Sequence, residues 1–393
     1  MRCSACPVSH SAIKCVSATK RLPSLAFSVR SWRSTRSRKM DGTYQVNQDW
    51  QKLATRIIVP QQIVLVIGAT DAGKSTFCRF LVDSALTQGL KTALVDADVG
   101  QSQIGPPTTI GMKFFTPEMV PVQFDGTADQ LYFVGDLSPR PRYLETLTGT
   151  RLMVDRARET EADFIVVDTT GYIHDPPAVS LKQHKIELIR PNHLVSIGRA
   201  IELEQITACY NQQVWIDTHH LLPHRSVRSK SSGTRSRYRK TRFDAYFSES
   251  NLQRIPFEQI RGERTPFFVG RPANEKELEI LSRLAETQVY YAEWGNRALC
   301  LITAGALSKA IINHIKNYLS LTRVTAEVHA YFERRLVGLV SKTSGNTDAI
   351  GMIETVDFQK REFSIRCPAS KVSDAAKDVC IIQFGAYQLK TRV

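Results

Sequence analysis

Ile63-Val64-Leu65-Val66-Ile67-Gly68-Ala69-Thr70-Asp71-Ala72-Gly73-Lys74-Ser75-Thr76 decides the fold. Five consecutive apolar residues make a strand buried on both faces. A turn bracketed by Gly68 and Gly73 follows, and from Lys74 to about Gln88 the apolar spacing is helical. Gly68 to Ser75 matches GxxxxGK[ST] in full and stands where that motif works, after a strand and before a helix. The glycines let the backbone wrap a phosphate chain, so that successive N–H groups and the helix N-terminus meet its negative charge. On this reading Lys74 reaches the β- and γ-phosphates of ATP and Ser75 ligates Mg2+. Gly68, Thr70, Asp71, Ala72, Gly73 and Thr76 complete the nucleotide-binding loop. The plainer alternative is a loop of the same form that has lost its activity.

Further apolar runs at Thr92–Val95, Phe164–Val167, His193–Ile197 and Val214–Ile216 read as strands. Helical stretches near Tyr143–Glu159, Ala178–Ile189 and Glu202–Cys209 separate them. Strands apolar on both faces that alternate with helices predict an α/β fold: a P-loop NTPase parallel sheet with helices on both faces. After about Glu263 the texture changes to short alternating runs, at Leu299–Thr303, Leu336–Val340, Ala349–Thr355 and Phe363–Arg366, with one helix near Ala306–Leu319. The expected organisation is a basic leader over 1–40, a P-loop domain over 41–262 and a smaller β-rich C-terminal domain over 263–393.

Two acidic motifs stand at strand ends. Leu94-Val95-Asp96-Ala97-Asp98-Val99-Gly100-Gln101 brings two carboxylates beside the phosphate loop if the sheet is wound in the usual way. A pair of this kind suits a hydroxyl acceptor, because one carboxylate must orient the hydroxyl and take its proton while Mg2+ is held nearby. Asp98 is the expected base and Asp96 the contact to Mg2+ or its water; the reverse stays open, as does a capped turn at Asp96. Phe164 to Gly171 ends in Asp168-Thr169-Thr170-Gly171. Asp168 would act on the metal, and the hydroxyls of Thr169 and Thr170 on phosphate or acceptor. Asp-Thr-Thr-Gly is also good turn chemistry.

The net charge of +14 is unevenly spread. Residues 1–40 hold nine of the 52 Lys and Arg and no acid, which leaves 43 against 38 Asp and Glu, or +5, for the rest. The leader reads either as an organellar transit peptide or as the product of a start placed upstream of Met40. A second acid-free stretch carries Arg225, Arg228, Lys230, Arg235, Arg237, Arg239, Lys240 and Arg242, either a solvated basic loop or part of a catalytic lid over 225–242. Eight cysteines show no framework spacing; Cys3 and Cys6 form one CxxC with no partner pair to complete a zinc site. No apolar run approaches the roughly 18 residues that cross a bilayer. The expectation is a soluble chain with no membrane partner, cytoplasmic unless the leader is a transit peptide.

In order along the chain, GATDAGKST (68–76), DADVGQSQIGPP (96–107), DTTGY (168–172) and the basic stretch ending in Tyr246-Phe247 resemble the polyribonucleotide 5′-hydroxyl kinases. The resemblance covers roughly residues 60–250, and the acid pair followed by Gly-Gln and Gly-Pro-Pro is its most specific part. It implies an ATP- and Mg2+-dependent kinase acting on the 5′-hydroxyl end of RNA or DNA. Lys74 and Ser75 match the triphosphate and Mg2+ contacts, Asp98 the base, Thr169 and Thr170 a phosphate clasp, and Arg235 and Arg239 lid arginines that close over the transferring phosphate. Tyr172 occupies a place where the family commonly carries Trp, and the P-loop begins too early for the N-terminal β domain of the eukaryotic members. Both departures suggest a compact, prokaryotic-type chain; its protein partners are not legible.

Three other readings share the phosphate loop. A GTPase or ATPase switch leaves the acid pair and the arginine-rich stretch unexplained, and no NKxD motif is present. A nucleotide-binding scaffold without turnover has no need of competent residues at every matched position. A kinase for a small-molecule hydroxyl would use the same P-loop and acid pair.

Overall fold

The computed structural model describes residues 46–199, 201–224, 227, 229–369 and 378–390. The basic leader, Cys3, Cys6, Cys15, Arg225 and Arg228 lie outside these residues. Helix α1 (Gln48–Ile57) is capped by Asn47, whose side chain accepts from Trp50 N, and leads into β1 (Gln62–Gly68) and α2 (Lys74–Thr87). The chain continues through β2 (Thr92–Ala97), β3 (Thr109–Phe115), β4 (Gln130–Phe133), α3 (Tyr143–Glu159) and β5 (Phe164–Thr169). Then follow α4 (Pro176–Ile189), β6 (His193–Ile197), a short α5 (Glu204–Thr207), β7 (Asp217–Leu221) and α6 (Ser232–Tyr246). Asp175 caps α4 ahead of Pro176 and Pro177, a pairing that fixes where a helix starts.

The strands β7, β6, β1, β5 and β2 lie side by side in that order, all parallel. β1 sits where the winding reverses between β5 and β6, the crevice in which α/β sheets hold their ligands. Ile63, Leu65 and Ile67 pack with Met153 and Val154 of α3 and Ile186 of α4; α1 and α2 meet through Trp50, Phe77 and Phe80. Each fully buried side chain of this size stabilises the fold by about 1.5–3 kcal/mol.

Beyond β2 the sheet turns antiparallel, a change the sequence reading did not contain. β3 pairs with β2, β4 with β3, and Leu131 of β4 with Thr347 of β15 (Thr347–Asp357). Through that contact the sheet runs on into β14 (Arg335–Ser341), β17 (Val379–Gln388) and β9 (Arg261–Glu263), while β16 (Glu362–Pro368) pairs with β15 and with β8 (Ser250–Pro256). The boundary expected at 262 is therefore not a break in the sheet: β8 lies before it and β16 after it, and the described residues from 46 onward form one compact unit. A separate sheet of β10 (Arg271–Pro272), β11 (Val289–Gly295), β12 (Ala298–Thr303) and β13 (Arg323–Val328) carries α7 (Glu275–Leu284) and α8 (Lys309–Tyr318).

Two local expectations change. The run Val214–Ile216 is not a strand: Val214 is fully exposed, Trp215 lies under the Arg190 guanidinium at 4.4 Å, and the ladder begins at Asp217 opposite His193. The basic stretch is a helix from Ser232 onward, capped by the Ser231 hydroxyl, which accepts from Thr234 N at 3.1 Å. No helix among the described residues is long and apolar enough to cross a membrane.

The C-terminal half of α6 is fastened to the sheet. Phe243 packs with Phe133, Leu336, Ile350 and Met352, and Tyr246 Oη accepts from Ile350 N at 2.9 Å. Phe243→Ala is expected to lower stability by about 3–4 kcal/mol, read as a shift of the urea midpoint at unchanged slope.

Candidate active site

The carboxyl ends of β1, β2 and β5 bring the three motifs to one place: Asp96 is in register with Asp168, and Ala97 with Thr169. The phosphate loop closes at Gly73, which has φ 99°, and α2 starts there without a side-chain cap, leaving its first N–H groups open. Lys74 is buried and donates to Ala69 O at 2.9 Å. Gly171 lies against this loop so closely that a Cβ on it would stand 2.3 Å from Thr70 Oγ1 and 2.4 Å from Thr70 N. The glycine that follows Asp168-Thr169-Thr170 is thus required by contact with the phosphate loop.

The two carboxylates of the acid pair do different work. Asp96 is 1% exposed and accepts from Asp98 N (3.0 Å) on one oxygen and from Ser102 Oγ (3.2 Å), Gln103 N (2.5 Å) and Ile104 N (3.3 Å) on the other. Three backbone N–H groups, with the Ser102 hydroxyl that also donates to Ile104 O, tie it to the loop between β2 and β3, where the sequence expected a contact to Mg2+ or its water. Burial, with Asp168 and Asp98 close by, pushes its pKa up to about 7. Asp98 is half-buried; its Oδ1 accepts from Gly100 N and Gln101 N, both at 3.1 Å, and no described donor reaches its Oδ2. One oxygen is pinned by backbone and the other is open.

Asp168 is buried and shares a hydrogen bond with the Ser75 hydroxyl; burial raises its pKa, while Lys74 and Ser75 act in the opposite direction. Both groups are hard oxygen donors of the kind Mg2+ takes. Thr169 is fully buried, donates its hydroxyl proton to Val66 O at 2.8 Å and accepts from Lys182 Nζ at 2.9 Å. Its hydroxyl proton is committed to Val66 O inside the fold, where the sequence expected a contact to phosphate or acceptor. Thr170 keeps its own hydroxyl proton: its carbonyl and hydroxyl oxygens accept from Lys182 Nζ at 2.6 and 3.3 Å.

Lys182 and Lys185 were missed in the sequence, although a signal existed. They fall among Ala178, Leu181, Ile186 and Ile189 on the apolar face of α4, where a solvent-seeking amine is out of place. Both are 1% exposed, and Lys185 Nζ has no hydrogen-bond partner among the described residues. Burial carries the Lys182 pKa well below its ordinary value, helped by Lys185 and Lys74, and lowers that of Lys185 to about 8 against the pull of Asp98 and Asp168. Three lysines and three carboxylates thus meet behind one phosphate loop.

The lid arginines lie differently from one another. Arg235 donates to Lys230 O at 2.7 Å and stands 3.9 Å from Asp71 Oδ2, which also accepts from Lys230 N at 2.9 Å. The Asp71 side chain therefore holds the start of the lid. Arg239, one turn on, is half-exposed and makes no hydrogen bond or ion pair among the described residues. Below them Tyr238 Oη donates to Ser102 O at 2.8 Å, and Arg242 Nη2 to the carbonyls of Gln103, Gly105 and Gly126 at 3.3, 2.7 and 3.0 Å. At the mouth, Tyr143 and Tyr172 stack with centroids 6.3 Å apart, and Arg140 donates to Tyr172 Oη and to Asp175.

Residues 68–249 match the family model described as the P-loop of the mRNA cleavage and polyadenylation factor CLP1. The chain is 30% identical over 328 residues to the polyribonucleotide 5′-hydroxyl-kinase of Methanocaldococcus jannaschii, covering 82% of this chain and 85% of that protein. It is 26% identical to the enzyme of the same description from Pyrococcus furiosus, over 88% and 94% of the two chains. Among solved structures, a Clp1p–Pcf11p complex superposes with a TM-score of 0.57 at 11% identity, covering 86% of this chain and 79% of that one, a likeness of fold.

The two buried lysines yield opposite expectations for stability and turnover. Lys182→Met keeps the volume but leaves the buried oxygens of Thr169 and Thr170 without their donor, so the melting temperature should fall while kcat falls at least ~10-fold through loss of the Thr170 contact. Lys185 has a folded-state pKa below its unfolded one, so the unfolded chain binds the extra proton between about 8 and 10.5 and wild-type stability climbs with pH across that window. Lys185→Met should be more stable than wild type by roughly 3 kcal/mol below pH 8, with the gap closing as pH rises through 10, measured by urea unfolding at a series of pH values.

Proposed function

This chain belongs to the polyribonucleotide 5′-hydroxyl-kinase family, and we propose that it transfers the γ-phosphate of ATP to the 5′-hydroxyl end of RNA. The observation that carries the reading is the Asp98 carboxylate, fixed by two backbone N–H groups on one oxygen and open on the other. A hydrolytic switch has no use for a preset base of this kind beside its phosphate loop.

The residues fit a triphosphate and its metal. The uncapped start of α2 offers open N–H groups, and Lys74, whose one hydrogen-bond partner is the loop's own Ala69 O, is placed to exchange it for phosphate. Ser75 and Asp168 would hold Mg2+, which when bound neutralises charge on the β- and γ-phosphate oxygens. Asp96 is assigned to the loop and not to the metal.

In the step we propose, Asp98 Oδ2 takes the proton of the 5′-hydroxyl as that oxygen forms its bond to the γ-phosphorus. The bond from the γ-phosphorus to the bridging oxygen breaks, and ADP leaves with that oxygen. Thr170 donates its hydroxyl to the transferring group, oriented from behind by Lys182. Arg239 is the lid arginine free to neutralise the equatorial oxygens, and Arg235 joins it once the Asp71 contact is exchanged for phosphate. The Tyr143–Tyr172 pair offers a stacking face for the terminal base, and the loop after Asp98 reaches toward it: a Cβ on Gly100 would lie 2.8 Å from Leu137 O, three residues before Arg140.

The test is transfer of labelled γ-phosphate to short 5′-hydroxyl RNA and DNA oligomers by the full chain. Wild type should label the 5′ end, Lys74→Ala should abolish labelling, and Asp98→Asn should lower kcat by ~10²–10⁴-fold. Arg239→Ala should lower it by on the order of 10³-fold. Release of inorganic phosphate with no labelled oligomer would replace the kinase reading with a hydrolytic one.

A further inference from the structure

At the edge of the parallel sheet, two strands bring together three side chains that phosphoryl transfer does not use. His193 opens β6, Asp217 opens β7, and the register sets these two residues side by side. His219 follows two residues later, so it leaves β7 on the same face as Asp217. His193 Nδ1 lies 3.2 Å from His219 Nε2 and 3.8 Å from Asp217 Oδ2, and one ligand atom of each residue falls within 4.8 Å of the other two. A hydrogen bond between neutral imidazoles accounts for the first distance alone. It uses one N–H and one lone pair, and leaves a carboxylate that converges on the same nitrogen unexplained.

A tetrahedral zinc ion with bonds near 2.0–2.1 Å separates its ligand atoms by roughly 3.4 Å, and the two measured separations straddle that edge. We propose that His193, Asp217 and His219 form a site for a divalent transition-metal cation, zinc by preference, at the end of the sheet opposite the phosphate loop. The donor set argues for the metal class: two imidazole nitrogens and one carboxylate suit zinc, whereas Mg2+ and Ca2+ take oxygens throughout. Three protein ligands leave a fourth position for water, and Asp217, 74% exposed at its side chain, places that position in solvent. Arg56 of α1 bears on both imidazoles, and the Asp217 carboxylate offsets it. β7 is an edge strand whose far end leads toward the lid helix, so the cation's effect is to staple β7 to β6 and fix the strand from which the lid departs.

The full chain, stripped with a chelator and supplied with Zn2+, should retain one equivalent at this site after desalting, read by elemental analysis. Co2+ in its place should give the visible bands of tetrahedral ligation. His219→Ala and Asp217→Asn should each lower the retained metal at least ~10-fold at this site and remove the rise in melting temperature that Zn2+ gives wild type. Asp217→Asn changes an exposed group and so reports on the site even if His219→Ala destabilises the edge; ATP binding by each variant serves as the check on folding. The difference between wild type and variants is insensitive to any metal held by Cys3 and Cys6. Absence of retained metal in wild type, or equal retention by the variants, overturns the proposal.

Discussion

A single buried carboxylate sets the terms for the rest of the site. Asp96 gathers a hydroxyl and three backbone N–H groups from the eight residues that follow it, and so gives the loop between β2 and β3 one shape. Asp98 is presented by that loop, with its Oδ1 held by the next turn. The foot of the lid stands on it too, since Tyr238 donates to Ser102 O and Arg242 to the carbonyls of Gln103 and Gly105. Asp98 and helix α6 are thereby registered to one another through the Asp96 carboxylate. Removing a partner from such a buried ionic group is far more damaging than its net worth to stability suggests.

The same corner is a problem in charge compensation. Asp96, Asp98 and Asp168 cluster at the ends of two adjacent strands, β2 and β5, and burial works against ionising Asp96 and Asp168. Lys74, Lys182 and Lys185 bring three amines to the same corner from the phosphate loop and from α4. Lys182 is satisfied by the threonines it supports, whereas Lys185 Nζ has no hydrogen bond among the described residues. Its position is explained by the carboxylates whose field it answers, at a cost to folding that a site built for stability alone would not carry.

How much of this was legible depended on the range of the contacts involved. The phosphate loop, the acid pair and Asp168-Thr169-Thr170-Gly171 are short, local patterns tied to strand ends, and they fall on β1, β2 and β5 as expected. What the side chains do there was less legible. That Asp96 faces the loop and Thr169 faces Val66 O depends on the direction in which each leaves its strand. The antiparallel β3 and β4 were not read as strands at all. Val214–Ile216 has the composition of a strand, yet the ladder starts at Asp217, because register against β6 and not apolar content decides where pairing begins. The boundary at 262 was drawn from a change in texture, and texture does not report that Ser250–Pro256 pairs with a strand more than a hundred residues later.

The contact of β4 with β15 carries a consequence for how the molecule comes apart. Where two folding units meet only through a linker, each can melt or be clipped on its own. Here hydrogen-bonded strands run from the parallel half into the antiparallel half, and cleavage near 262 would strip β8 of its partner and leave β4 with an open edge, the kind of surface along which chains stick to one another. Continuity of the sheet predicts that the two halves unfold together. On that expectation, a ligand that binds only the folded phosphate loop raises the stability of the remote strands as well, because its binding free energy is drawn from one transition.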